Sequence, residues 1–294
     1  MLDFIRLCKE QNIQYLESGH HHSHEGWVQI NCPFCTDGTH GWHLGYSLER
    51  GNMNCWRCGS HSIYDYFKIV LPNKSVKQIL NQYNDATFLP EKKMMKPRTK
   101  KAKRPPGLTS LYPVHEKYLK DNKFKKGIIK EWDLQATSGT SGEWCWRIIA
   151  PISDRAGVVT GYAGRALQKE IRPRWKFTRN EEMSADPKRM LYGIDRVQDR
   201  VLIVEGVSDV WRMGAGAVAV FGIDWNVEQA FILKDFSHRF ILFDPEREAQ
   251  KRARELAEWM AVFPGETEII SGFETDPGEM SQNQADEIKK ELGI

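Results

Sequence analysis

In the last third of the chain, short apolar runs alternate with amphipathic segments. Val201-Leu202-Ile203-Val204, Ala217-Val218-Ala219-Val220 and Phe240-Ile241-Leu242-Phe243 are unbroken apolar runs of strand length, and Thr267 to Ile270 can supply a fourth strand. Apolar residues on both faces are what a strand needs when helices cover it on both sides. Between the runs, Asn226 and Gln229 have capping-box spacing, Ala249, Ala253, Leu256, Ala257 and Met260 share one helical face, and Ser281 with Gln284 opens a last helix. This alternation predicts a mainly parallel sheet flanked by helices. A ligand would then sit beyond the carboxyl ends of the strands.

The first 90 residues have a different pattern, with Trp42-His43-Leu44-Gly45-Tyr46 alternating as a short strand does. Residues 91–107 carry Pro97, Pro105 and Pro106 with no apolar periodicity, and read as a solvated linker. The predicted organisation is a small domain over 1–90, a linker over 91–107, a subdomain over 108–200 and the strand–helix unit over 201–294, α+β overall. No fixed period marks a repeat. Gly19 to His24, rich in histidine, reads as a solvated loop.

At 294 residues, 40% hydrophobic and a mean hydropathy of −0.55, the chain has enough apolar material for about two domains. Its apolar runs fall well short of the roughly 20 residues that span a bilayer, and no charged-then-apolar leader opens it. The expected location is a reducing cytoplasm, where the six cysteines serve as metal ligands or free thiols. The net charge of +3 conceals a segment from Glu91 to Arg104 whose local balance is +7. So concentrated a positive charge implies a polyanion partner.

Cys32 and Cys35 form one CxxC pair and Cys55 and Cys58 another, 19 residues apart, the spacing of two knuckles closing on one zinc ion. Four thiolates complete a closed structural site. Cys8 and Cys145 are expected as buried thiols, and His40, His43 and His61 as surface groups or neighbours of the zinc. Trp27, Trp42 and Trp56 can either fill a small core or stack on unpaired bases, with Arg57 beside them.

Glu205 follows the first apolar run, Asp209 lies on the next helix, Asp244 and Glu246 follow the third run, and Asp276 stands in a later loop. Carboxylates gathered at strand ends form a hard oxygen site suited to magnesium or manganese. Acids in such positions are also ordinary helix N-terminal residues.

Cys32-Pro33-Phe34-Cys35, Cys55-Trp56-Arg57-Cys58-Gly59 and Asp65-Tyr66-Phe67 resemble the zinc-binding domain of bacterial and phage DNA primases. Cysteine at position 35, where cellular members carry histidine, points to a bacteriophage-like version. Glu205-Gly206 with Asp209, Gly222, and Asp244-Pro245-Glu246 resemble the TOPRIM domain, with Glu246 where aspartate is usual. Between them, His115-x-x-Tyr118-Leu119, Arg147 to Ile152, Gly161 to Arg165, Trp175-Lys176-Phe177 and Lys188 to Asp195 resemble the first half of a primase polymerase domain.

The resemblance implies a nucleotidyltransferase that makes short RNA primers on single-stranded DNA from ribonucleoside triphosphates. It would use one structural zinc and about two magnesium or manganese ions. It assigns the divalent ions to Glu205, Asp244 and Glu246, with Asp209 and Asp276 as further catalytic candidates. Template and triphosphate fall to Arg165, Lys176 and Lys188 in the polymerase domain and to Trp42, His43, Trp56 and Arg57 in the zinc domain. Implied partners are template, triphosphates and the primer–template hybrid, with a separate helicase and DNA polymerase, since little chain follows Glu279, and no membrane. A non-catalytic single-strand-binding or loading protein, favoured by Glu246, and a TOPRIM nuclease using the same acids remain the alternatives.

Overall fold

The computed structural model describes residues 2–17, 23–35, 41–49, 51–83 and 101–294, without the side chains of Lys77 and Lys188. Most of the histidine-rich stretch, His40 and the linker up to residue 100 lie outside the described residues. The chain divides into two compact units, Met1–Met94 with Arg254–Thr267, and Met95–Ala253 with Glu268–Ile294.

The first unit opens with α1 (Phe4–Glu10), where the Asp3 carboxylate accepts a hydrogen bond from the Arg6 amide at 3.0 Å. An antiparallel meander follows in the order β1 (Tyr15–Leu16), β2 (Trp27–Ile30), β3 (Leu44–Ser47), β4 (Met53–Cys55), β5 (Gly59–His61). Val28 and Ile30 of β2 and Leu44 and Tyr46 of β3 are buried, and Phe4 stacks on Tyr46 at 4.2 Å between ring centroids. Two helices complete it: α2 (Ile63–Val70), capped by the Ser62 hydroxyl, and α3 (Val76–Tyr83). The alternating segment is a strand as expected, although Trp42 and His43 precede it.

The second unit contains α4 (Pro113–Asp121), α5 (Ile128–Glu131) and an antiparallel sheet ordered β6 (Gln135–Ala136), β7 (Arg147–Ser153), β8 (Val159–Ala166), β9 (Trp175–Phe177). Then come β10 (Arg200–Val204), α6 (Val207–Met213), β11 (Ala217–Ala219), α7 (Val227–Leu233), β12 (His238–Ile241), α8 (Arg247–Met260), β13 (Glu266–Ile269) and α9 (Gln282–Leu292). Helix α8 and strand β13 cross the boundary between the units.

The second sheet runs β11-β10-β12-β13, with β10 parallel to both neighbours. This is the mixed α/β architecture that the apolar runs imply. One core serves both sheets, joining Ile148 and Ala150 of β7 to Leu202 and Val204 of β10 and Trp211 of α6. The capping boxes at Asn226/Gln229 and Ser281/Gln284 both form. Strand β12 lies two residues earlier than the apolar run Phe240–Phe243. Leu242 and Phe243 are buried by packing beyond the strand, though the Leu242 amide still donates to Ile203 O at 2.8 Å.

Candidate active site and zinc centre

The zinc centre is built from strand ends. Cys32 and Cys35 follow β2, Cys55 ends β4 and Cys58 precedes β5, which pairs back on β4. The Sγ atoms of Cys32 and Cys58 are 3.6 Å apart, those of Cys35 and Cys55 3.7 Å, and those of Cys35 and Cys58 3.5 Å. A tetrahedron with Zn–S bonds of about 2.3 Å has edges of roughly 3.8 Å, so the four sulfurs fit one zinc ion. His61 is a neighbour of the site: Nε2 lies 3.0 Å from Cys58 Sγ and its ring stacks on Phe34 at 3.8 Å.

The carboxylates converge because of the order of the parallel strands. The chain passes from β10 to β11 on one side and returns to the other side of β10 as β12, so the order reverses where β10 meets β12. Crevices open at the carboxyl ends of such strands. Glu205 directly follows β10, and its Oε1 accepts a hydrogen bond from the Asp244 amide at 2.8 Å. On α6, Asp209 Oδ2 accepts from the Gly206 amide at 2.7 Å. The loop bearing Asp276 approaches so closely that a Cβ on Gly278 would lie 2.7 Å from Asp209 Oδ1.

Arg212, which sequence reasoning missed, pins that loop. Its guanidinium is buried and donates to the carbonyls of Gly278 (3.3 Å), Lys123 (2.7 Å) and Asn122 (2.8 Å). A lone cation in the otherwise apolar end of α6 is the only sequence signal for it.

Burial lifts the Asp209 carboxyl to about 7, and the nearby Asp276 and Glu205 charges push the same way. Asp244 rises to about 8, again through burial first, then through Glu205, Asp209, Asp276 and Glu246. Glu205 is raised by burial, with Glu246 and Asp276 adding to it and the Asp244 amide opposing. Asp244 therefore feels the charges of the other four acids. Asp244 Oδ1 is buried with no hydrogen-bond partner among the described residues.

Mutual repulsion around an unsatisfied carboxylate oxygen fits a divalent cation. Among the described residues only the four cysteines bring three or more ligand atoms all within 4.8 Å of one another. The carboxylates are more widely spaced, which suits magnesium, an ion commonly held by one or two carboxylates plus phosphate oxygens.

The cations expected at template and triphosphate are held internally. Arg165 Nε donates to the Tyr118 hydroxyl at 3.1 Å and its guanidinium lies 5.2 Å from the Trp175 ring centroid. Lys176 pairs with Glu143 at 2.8 Å. The Lys188 side chain lies outside the described residues.

In the zinc unit, Trp56 is 55% exposed, with the Arg57 guanidinium 5.3 Å from its ring centroid and buried His43 edge-on to it at 4.6 Å. Trp42 lies half-buried just before β3. An open groove of about 410 Å³ is lined by His24, Trp27, Gln29, His43, Asn54 and Trp56. Gly45 makes room in it, since a Cβ there would meet Trp27 at 2.9 Å. His24, Gln29 and Asn54 were not singled out from the sequence, although Trp27 and Gln29 share one face of β2 by the two-residue period.

No family model matches the chain. A DNA primase of Legionella pneumophila is 27% identical over 158 residues, covering 47% of this chain and 26% of the relative. The primase of Aquifex aeolicus, solved as its zinc-binding and RNA polymerase domains, superposes with a TM-score of 0.53 at 16% identity, covering 99% of this chain and 82% of that one. The fold is that of a DNA primase. A DnaG primase catalytic domain bound to single-stranded DNA also superposes on the primase fold, with a TM-score of 0.52 at 18% identity over 62% of this chain and 72% of that one. The chain thus spans about a quarter of the length of the curated primase it matches. Among the described residues, no helix is long and apolar enough to cross a membrane.

Proposed function

We propose that the chain synthesises short RNA primers on single-stranded DNA from ribonucleoside triphosphates during DNA replication, in the cytoplasm of a bacterial cell or a phage-infected host. The observation that carries this reading is the hydrogen bond joining Asp244 to Glu205, which gathers the acids at the strand-order reversal of a primase fold. By the same reading, 201–294 is a TOPRIM subdomain, 108–200 its polymerase partner, and 1–90 a template-reading zinc domain on a basic linker.

Glu205, Asp244 and Glu246 would hold magnesium or manganese, which when bound neutralises the triphosphate oxygens and polarises the attacking hydroxyl. Glu205 then has two tasks available: to serve as a ligand, or to accept the proton of the primer 3′ hydroxyl as its oxygen attacks the α-phosphorus and pyrophosphate leaves. Asp209, hydrogen-bonded to the Gly206 amide at the mouth of α6, fixes the turn that presents Glu205, and Arg212 fixes the loop that presents Asp276. In the zinc domain, Trp56 and the groove beside it offer stacking faces to unpaired template bases.

A labelled-ribonucleotide assay on single-stranded circles with magnesium or manganese tests the reading. Short template-dependent RNA is the expected product. Retention of DNA without synthesis would favour a loading protein, and cut template a nuclease. Either outcome overturns the proposal.

A further inference from the structure

Gln250, early in α8, reaches back over the residues that lead into that helix. Its side-chain Nε2 donates to the carbonyls of Phe243 at 3.2 Å and Asp244 at 2.9 Å, and its own amide donates to the carbonyl of Glu246 at 3.0 Å. Carbonyls only accept, so the side-chain amide must face them with its NH2 end. Any residue but proline at position 250 could supply the third bond. The first two need a side chain of this length with two donors on one atom.

The segment so held carries two of the acids. The backbone of Asp244 is fixed on both sides, its amide by Glu205 Oε1 at 2.8 Å and its carbonyl by Gln250, and Pro245 after it has a restricted φ and no donor of its own. With the backbone fixed, Asp244 Oδ1 is buried without a hydrogen-bond partner among the described residues. An unpartnered buried oxygen costs free energy, so the carboxylate does not choose this direction for itself; the backbone imposes it.

Packing alone does not fix that backbone. Beside it lies a cavity of about 150 Å³, bounded by Phe243, Pro245 and Gln250 and by Ile270, Phe273 and Thr275 of the chain after β13. The segment therefore has room to shift, and its hydrogen bonds decide where it stays. The choice of glutamine matters too. Lysine and arginine are long enough and donate, but their positive charge would repel a divalent ion, whereas the glutamine amide donates and is neutral.

We propose that Gln250 is a positioning residue: through the carbonyls of Phe243 and Asp244 it sets the direction in which Asp244 and Glu246 present their carboxylates to a divalent cation. The inference rests on the reading of these acids as the metal site, and adds to it a residue that touches neither cation nor substrate.

The test is manganese binding to the full chain at pH 8, read by electron paramagnetic resonance, with zinc content and thermal melting measured on the same samples. Gln250→Met keeps the length of the side chain but has no donor, and should weaken manganese binding about ten- to a hundredfold, the usual size of losing a group that orients a metal's ligands. Gln250→Glu keeps the shape and adds a negative charge, which by attraction alone would tighten the binding. As an acceptor facing two carbonyls it should weaken it instead. Zinc content should be the same in all three proteins.

Manganese affinity equal to that of the wild type in Gln250→Met, with or without a lower melting temperature, overturns the proposal, since a residue that only stabilises the fold gives that result. So does tighter binding by Gln250→Glu. A wild type that binds manganese, loses it in both variants and makes no RNA would remove the primase reading and leave the role of Gln250 intact. A wild type that binds no manganese would overturn both.

Discussion

Asp244→Asn removes one charge from the acidic cluster without changing its volume, and the Asp244 amide that bonds Glu205 stays in place. In the wild type, burial and four neighbouring carboxylates hold this carboxyl at about 8, against 3.8 for an ordinary aspartate. A folded-state value above the unfolded one means that the native state binds more protons. Stability must therefore fall as pH rises from about 4 to about 8, where the full cost of the charge is present.

Every tenfold loss of acidity on folding costs about 1.4 kcal/mol once the group is ionised. An upper bound of about 6 kcal/mol, reduced by water and structural relaxation around a partly exposed group, becomes on the order of 2 kcal/mol. Asparagine escapes this cost. Thermal melts of the two proteins should agree below about pH 4, and at pH 8.5 the variant should melt about 4–8 °C higher. Manganese should stabilise the wild type by mass action and the variant far less, and RNA synthesis by the variant should drop at least about a hundredfold. A variant that melts lower at both pH values, with the manganese response intact, would refute the reasoning.

Other consequences are equally open to measurement. Cys35→Ser or a strong chelator should remove one zinc per chain and abolish the melting transition of the first unit while that of the second persists, since structural zinc contributes folding energy directly; elemental analysis with calorimetry checks this. Trp56→Ala should slow initiation on bare template about tenfold and leave extension of an annealed primer unchanged, as gel assays of the two reactions would reveal. Arg212→Met leaves the buried carbonyls of Gly278, Lys123 and Asn122 without their donor, so the second unit should lose about 3 kcal/mol in denaturant titration.

The convergence of the four cysteines was legible in the sequence because CxxC spacing carries its own geometry, and the placing of Glu205 and Asp244 beyond neighbouring strands because strand ends in a parallel sheet can be read from unbroken apolar runs. The extent of β12 was not, since Leu242 and Phe243 are apolar for packing beyond the strand and periodicity cannot tell the two uses apart. Arg212 and His115 were invisible as tertiary partners: one is satisfied by carbonyls from distant segments, the other buried beneath aromatics brought together only by folding. The linker charge raises the expectation of a polyanion partner; of that segment the structure describes the end, where Lys103 and Arg104 line a cavity with Lys176 and Arg179. Lys176 and Arg179 both pair with Glu143, a contact no local pattern announces.

Electron paramagnetic resonance of manganese, titrated into full-length protein at pH 8, goes straight to whether these acids grip divalent cations. One or two tight ions are expected in the wild type, held more firmly when a ribonucleoside triphosphate is present, and lost in a Glu205→Gln/Asp244→Asn double variant that keeps its zinc. Equal manganese binding by both proteins would mean that the cluster is not the metal site.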